Sequence, residues 1–329
     1  MMQKQRVVSG MRPTGRLHIG HFHGVLENWI RIQEQFDCFF FVADWHSLTT
    51  EYADTSSIKD STREMVLDWI AFGLDPEKCI IFEQSQVAQH AELNLILGMI
   101  TPVSWLERNP TYKEMLDNIE QRDLSTFGFL GYPVLMAADI ILYKALRVPV
   151  GHDQLPHLEI TREIARRFNH LYTCQVFPEP EALLTETPKL LGLDGRKMSK
   201  SYNNSIYLSE TAEETAAKIK GMVTDTQRIR RADPGDPEQC VAFNLHRIYL
   251  PQEKLDEIIP ACRTAEIGCV ECKKLLTGYL NERLAPFRKR REELSTNPGF
   301  ALDLLAEGSR KATDEARKTM EEVRDALRV

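Results

Sequence analysis

Short, unbroken apolar runs alternate with longer amphipathic stretches through the first half of the chain. Residues 5–8, 38–44 (CFFFVAD), 79–82 and 148–150 read as buried parallel strands, because a strand covered on both faces loses the polar alternation of a half-exposed one. Helical patterns lie between them. Phe22, Leu26, Trp29 or Ile30, Gln33 and Phe36 keep helical spacing, and the helix expected over 57–72 is stopped by Gly73 with Pro76 beyond it. This rhythm predicts an α/β fold, a Rossmann-like doubly wound parallel sheet whose ligands sit beyond the carboxyl ends of the strands.

After about residue 205 the strand signals stop. Thr211 followed by Glu214 makes a capping box that opens a run of helices to about residue 294, interrupted by DPGDP at 233–237. Asn297-Pro298-Gly299 punctuates again, and 300–329 reads as a charged amphipathic closing helix. The organisation expected is a catalytic α/β unit over 1–204, an all-helical unit over 205–298, and a terminal helix over 299–329 that packs back on the first unit.

Composition narrows the class of protein. The 329 residues are 43% apolar and 27% charged, with 16 Pro and 17 Gly, which excludes disorder and fibrous repeats. The 41 Lys plus Arg against 48 Asp plus Glu leave a formal charge of −7, which excludes a promiscuous polyanion binder. Local basic clusters at Arg228, Arg230 and Arg231 and at 288–291 (RKRR) still leave room for a structured nucleic acid. No apolar run spans a bilayer and no signal-peptide core is visible, so a cytoplasmic protein without a membrane partner is expected. Seven cysteines in that compartment are read for metals, clusters or buried thiols rather than disulfides.

Two segments carry candidate chemistry. The first strand runs into SGMRPTGRLHIGHFHG, which sets His18, Gly20 and His21 at a helix N-terminus where backbone N–H groups and the helix dipole attract anions. Far downstream, Lys197-Met198-Ser199-Lys200-Ser201 lies on a loop expected to be loosened by Gly192 and Gly195, and its two lysines can swing onto a polyphosphate and neutralise a departing pyrophosphate. A turn of solvated histidines and an exposed Lys/Ser loop are the bland alternatives for each segment alone. The order of strand, HIGH, a long α/β pattern and KMSKS is hard to obtain by chance.

HIGH with KMSKS resembles the class I aminoacyl-tRNA synthetases. YPVLMAADIILY at 132–143 and VPVGHDQLPHLEITREIARRFN at 148–169 look specifically like the bacterial tryptophanyl-tRNA synthetases, and the resemblance covers essentially the whole chain. It implies activation of L-tryptophan by ATP with Mg²⁺, release of pyrophosphate, transfer to tRNA(Trp), and a homodimer. His18, His21, Lys197 and Lys200 would carry the catalysis. ATP would be bordered by Arg12, Pro13, Thr14, Gly20 and His21, by Gly151, His152 and Asp153, and by Lys197, Met198, Ser199, Lys200 and Ser201. Lys113 is a further phosphate candidate, or an ordinary exposed lysine.

For the amino acid, the resemblance implies that Asp139 accepts the indole N–H, Met136 packs the ring, and Tyr132 with Gln154 holds the amino group. Val148 and Val150 complete the wall. If Pro133 occupies the first turn of a helix, Tyr132, Met136, Asp139 or Ile140, and Tyr143 share one face, and a carboxylate on such a stripe is exceptional without a partner. An otherwise unpaired Asp139 would penalise phenylalanine. His46 flanks the substrate or is a structural histidine, and Val8 stands where some relatives carry an aromatic.

Cys240, Cys262, Cys269 and Cys272 are separated by 21, six and two residues. Four thiolates suffice for a [4Fe–4S] cluster or for Zn²⁺, and unligated thiols remain an alternative. A subset of the tryptophanyl enzymes resembles this arrangement with a [4Fe–4S] cluster near the anticodon-binding region, although the first interval here is one residue shorter. Cys38, Cys79 and Cys174 read as small core residues. Arg228, Arg230 and Arg231 are anticodon-reading candidates, or a solvated charge run. The competing readings are a tyrosyl enzyme, a small-molecule adenylyltransferase and a non-catalytic RNA-binding paralogue.

Overall fold

The computed structural model describes residues 4–110, 112, 125–184 and 190–329. Five parallel strands form one sheet: β1 (Arg6–Met11), β2 (Asp37–Val42), β3 (Cys79–Glu83), β4 (Arg147–Val150) and β5 (Glu181–Leu184), in the order β3-β2-β1-β4-β5. The chain builds outward from β1 to β3, then crosses back to lay β4 on the other side of β1. This doubly wound, Rossmann-like arrangement leaves a crevice at the carboxyl ends of β1 and β4, where successive connections diverge to opposite faces. β2 (DCFFFV) is buried at every position after Asp37, which is why it is a continuous apolar run.

Sequence and structure differ at three informative places. β5 (EALL) is a half-exposed edge strand with two exposed positions, so it carries none of the apolar continuity that marks β2. The first helix opens at Ile19, loosens into a π turn over Phe22–Leu26 and resumes as an α-helix over Glu27–Ile32, whereas its spacing suggests one regular helix. The wider turn keeps Phe22, Leu26 and Trp29 buried although the helix starts upstream of them. Pro133 is not in a first turn. Thr126 caps the helix Phe127–Ile141 by accepting from the Phe129 N–H, which puts Pro133 well inside it.

The helical second half is fastened to the sheet layer. Thr211 and Glu214 form the capping box of the helix Ala212–Gly221. Leu276, Leu280, Leu284 and Phe287 of the long helix Cys269–Ser295 join Val7, Phe40 and Trp69 in one apolar cluster. Phe287 stacks on Phe72 at 3.9 Å, and Arg291 of the same helix donates to the buried Asp68 at 2.6 Å and pairs with Glu64.

The closing helix, Phe300–Leu327, lies directly against β3, burying Leu305, Ala312, Ala316, Met320 and Val323. Gly308 lets the two backbones touch: a Cβ there would stand 1.8 Å from the carbonyl oxygen of Ile81. Gly308→Ala is therefore expected to destabilise the fold by about 3 kcal/mol, since overpacking against backbone has no side chain that can yield. Denaturant unfolding checks this; a midpoint equal to wild type would mean that the helix is not seated as described. No helix among the described residues is long and apolar enough to cross a membrane.

Candidate active site

The crevice between β1 and β4 is a cavity of about 470 Å³. Its walls come from Val8 to Met11 of β1, from Val148 to Val150 of β4, and from the helices that begin at Ile19 and Phe127. Tyr132, Met136, Asp139, Val148, Val150 and Gln154 all line it, as do Val8, His46, Arg12, Thr14, His21 and Gly151. The amino-acid candidates and part of the nucleotide candidates are thus brought together. His152 and Asp153 are exposed in the short turn His152–Gln154 and stand outside the lining, with Asp153 accepting from Gln154 Nε2 at 3.0 Å. Pro13 is buried beneath its turn, and Lys113 lies outside the described residues.

At the HIGH turn the two imidazoles stand 3.8 Å apart. His18 Nδ1 accepts from the Gly20 N–H, and His21 Nδ1 accepts from the His18 N–H, so in each neutral ring the proton sits on Nε2. Both rings are neutral at pH 7. Burial, followed by the Lys200 charge, pushes His18 down to about 4; burial, followed by His18 and Lys200, pushes His21 well below its ordinary value. The pair therefore offers two N–H donors without fixed charge. The space over Gly20 is taken by the His18 ring, 2.8 Å from where a Cβ would stand, so glycine serves the cap as well as any ligand.

The KMSKS loop is latched to this turn. Lys200 Nζ donates to the carbonyls of Thr14 and Gly15, each at 3.0 Å, and burial pushes its ammonium down to about 8. Behind the loop, Ile19 N–H donates to Ile206, and Leu208 N–H donates to Leu17, an antiparallel bridge that fastens one motif to the other. Met198 is buried against Gly20. Asn204 ties the loop internally, accepting from the Ser199 N–H at 2.8 Å and donating to the Lys197 carbonyl at 3.2 Å and to Asp194. Gly192 makes room for that amide and does not loosen the loop: a Cβ there would meet Asn204 Nδ2 at 2.2 Å. Ser201 bonds Ser199 through its hydroxyl, and none of the pentapeptide lines the cavity itself.

Asp139 closes the apolar end of the cavity, only 2% exposed. It is not unpaired. Oδ1 accepts from Gln84 Nε2 at 2.7 Å and from His90 Nδ1 at 2.6 Å, and Oδ2 meets His46 Nε2 at 2.8 Å. Burial alone would raise the carboxyl, but the hydrogen bonds from His46 and His90 hold it below its ordinary value, so it is ionised. A carboxylate offers about four acceptor positions, and three are used by protein. His90 passes the chain on to Tyr143 Oη at 2.8 Å. Gln84 and His90, just past β3, were not anticipated from sequence; the only signal was the requirement that a buried carboxylate have partners.

Walls of aliphatic and aromatic side chains, one buried carboxylate and a pair of imidazole N–H donors fit an amino acid with a polar ring atom beside a nucleotide. The sequence profile described as tRNA synthetases class I (W and Y) matches residues 2–285. The chain belongs to this family. Among curated relatives, the tryptophan–tRNA ligase of Thermotoga maritima is 53% identical, with 98% of each chain covered, and that of Aquifex aeolicus is 46% identical, covering 98% of this chain and 99% of the relative. Among solved structures, the tryptophanyl-tRNA synthetase of Campylobacter jejuni complexed with ADP and tryptophan superposes with a TM-score of 0.89 at 32% identity, covering 98% of this chain and all of that one.

In this synthetase, Cys240, Cys262, Cys269 and Cys272 line a single small space of about 20 Å³. Among the described residues, no three His, Cys, Asp or Glu side chains converge closely enough to hold a metal ion as they stand. Burial pushes Cys272 up to about 12 and raises Cys240 and Cys262, which favours the thiol form of these three. His246 Nε2 lies 3.1 Å from Cys272 Sγ, and Gly235 gives Cys262 Sγ room.

Two of the arginines beside this space are structural. Arg228 donates to the carbonyls of Arg231 and Ile267, and Arg231 to those of Ala265 and Glu266, holding the loop between Cys262 and Cys269. Only Arg230 of that trio keeps the exposed, unclamped position expected of a reader of RNA, its backbone alone being held by Asp233.

Proposed function

We propose that the crevice binds L-tryptophan and ATP side by side and joins them in line. The chain is a tryptophan–tRNA ligase; the observation that carries the assignment of its pocket is Asp139, ionised at a largely apolar wall and held by Gln84, His90 and His46. The indole lies between Met136, Val148 and Val150 and gives its N–H to Asp139, while Tyr132 and Gln154 take the ammonium. The substrate carboxylate then faces the HIGH turn. There the Nε2–H groups of His18 and His21 donate to phosphate oxygens as charge develops, with no protein nucleophile needed. Arg12, Thr14 and Gly151 border the nucleotide. Lys200, released from Thr14 and Gly15, follows the pyrophosphate with Lys197. Mg²⁺, brought with ATP, neutralises charge on the phosphates. Pyrophosphate exchange measured with tryptophan and with tyrosine tests the pocket: exchange that tyrosine supports as well as tryptophan does would overturn it.

The first unit, 1–204 with 299–329, carries this chemistry, and 205–298 meets the anticodon side of tRNA(Trp). A homodimer is supported by Leu95, Met99, Val103 and Phe127, large apolar side chains left exposed on adjoining helices, Phe127 at 89%.

The four cysteines fit a [4Fe–4S] cluster better than zinc by their spacing, a single close pair rather than two, and the small space they line would have to open for the thiolates to converge on it. Such a cluster would staple the helical unit and fix the RNA-facing surface. Cys262→Ala is expected to lower tRNA charging at least about tenfold while changing tryptophan-dependent pyrophosphate exchange less than about twofold. Equal losses in both assays would count against that role. Anaerobic purification with iron, sulfide and zinc assays tests the metal itself.

A further inference from the structure

Tyr132 is held by His157, which lines the same cavity, and through it by Asn109, neither of which binds substrate in the reading above. Its Oη lies 2.7 Å from His157 Nε2, and His157 Nδ1 lies 2.8 Å from Asn109 Nδ2. His157 sits in the first turn of the helix Leu155–Leu171 at 1% exposure, and Asn109, in the loop after the helix Val103–Glu107, is buried beside it. Burial, followed by the nearby His46, pushes His157 down to about 4, so the ring is neutral and has one donor and one acceptor nitrogen. The Asn109 amide donates to Nδ1. The ring proton is therefore on Nε2 and is donated to Tyr132 Oη.

This fixes the polarity of the hydroxyl. Having accepted from His157, Oη keeps one lone pair and its own proton, and neither can turn back toward the ring. Tyr132 lines the cavity a few residues from Met136 and Asp139 on the same helix, so both remaining hydrogen-bonding directions are available to the amino-acid end of the substrate. We propose that His157, oriented by Asn109, is a positioning residue that sets the Tyr132 hydroxyl to receive the substrate ammonium, and so makes the site choose α-amino acids over indole acids that lack the amino group. The inference rests on the reading that Tyr132 contacts that ammonium.

The experiment compares the KM for tryptophan in pyrophosphate exchange with the inhibition constant of indole-3-propionate, which lacks the amino group. His157→Leu is expected to raise the tryptophan KM about tenfold and to leave the indole-3-propionate constant within about twofold. His157→Gln, whose amide can still donate to Oη, should return most of the loss, and His157→Asn, too short to reach, should not. The Gln and Asn pair gives the same readout if the leucine variant fails to fold. A purely structural role would weaken both ligands together, which would overturn the proposal. Tyr132→Phe separates the two layers: if it leaves the preference for tryptophan over indole-3-propionate intact, the reading of Tyr132 fails. If it erases that preference and His157→Leu does not, Tyr132 stands and the role of His157 falls.

Discussion

Asp139→Asn is expected to lower kcat/KM for tryptophan about 10³-fold in pyrophosphate exchange, and kcat/KM for phenylalanine far less. The substitution keeps the shape and changes only charge and donor pattern. The new amide group must point one NH₂ at a donor, either His46 or the indole, since Oδ1 already serves Gln84 and His90. His46 can answer by shifting its own proton, because its Nε2 need not remain the donor. The indole N–H has no second tautomer and is left facing the amide. Phenylalanine brings no N–H, so the tryptophan-to-phenylalanine ratio collapses by the factor that tryptophan loses. A ratio unchanged in the variant would mean that the carboxylate is a structural anchor only.

The second large effect is at Lys200. Lys200→Ala should slow adenylate formation by about 10²- to 10³-fold in single-turnover experiments, with tryptophan affinity unchanged, because a charge aimed at the leaving group acts in the transition state and not on the amino acid. Its pH dependence has a definite sign. Burial brings the ammonium of the free enzyme down to about 8, and the charged form is the useful one. Activity is therefore full below that value and declines as the pH rises through it, as a basic limb in kcat/KM for ATP, which reports the free enzyme. Lys200→Arg cannot lose its charge and should remove the limb even if it is slower overall. A limb at the same pH in the arginine variant would assign it to another group.

Much of this was legible in the chain because the physics was local. β2 and β3 could be read from unbroken apolar runs, since parallel strands buried on both faces leave no polar alternation. The capping box at Thr211 and Glu214 is a contact between residues three apart. β5 was not legible, because an edge strand is only half buried. The start of the helix around Pro133 was misplaced because proline favours a first turn, yet Thr126 provides a cap upstream. The cavity-facing residues Tyr132, Met136 and Asp139 could be placed on one helix. Their supports could not: Gln84, His90, Asn109 and His157 come from separate elements and meet only in three dimensions. The clamping of Arg228 and Arg231 onto backbone carbonyls was equally invisible, since a run of arginines looks the same whether it is bound or solvated.

The bridge between His18 and Tyr207, with the Leu208 N–H on the Leu17 carbonyl, ties the far end of the KMSKS loop to the HIGH turn. Lys197 is held on one side by its bridge to Leu191, and Ile206 on the other by the Ile19 N–H. Lys200 stands two residues beyond the Met198 N–H, which donates to the Leu190 carbonyl, and two fully extended residues reach about 7 Å before the length of its own side chain is added. In the reaction proposed above, the lysine would follow a departing pyrophosphate over a short, bounded distance only. Past it the product would leave unescorted, which would make the loop an escort of fixed range.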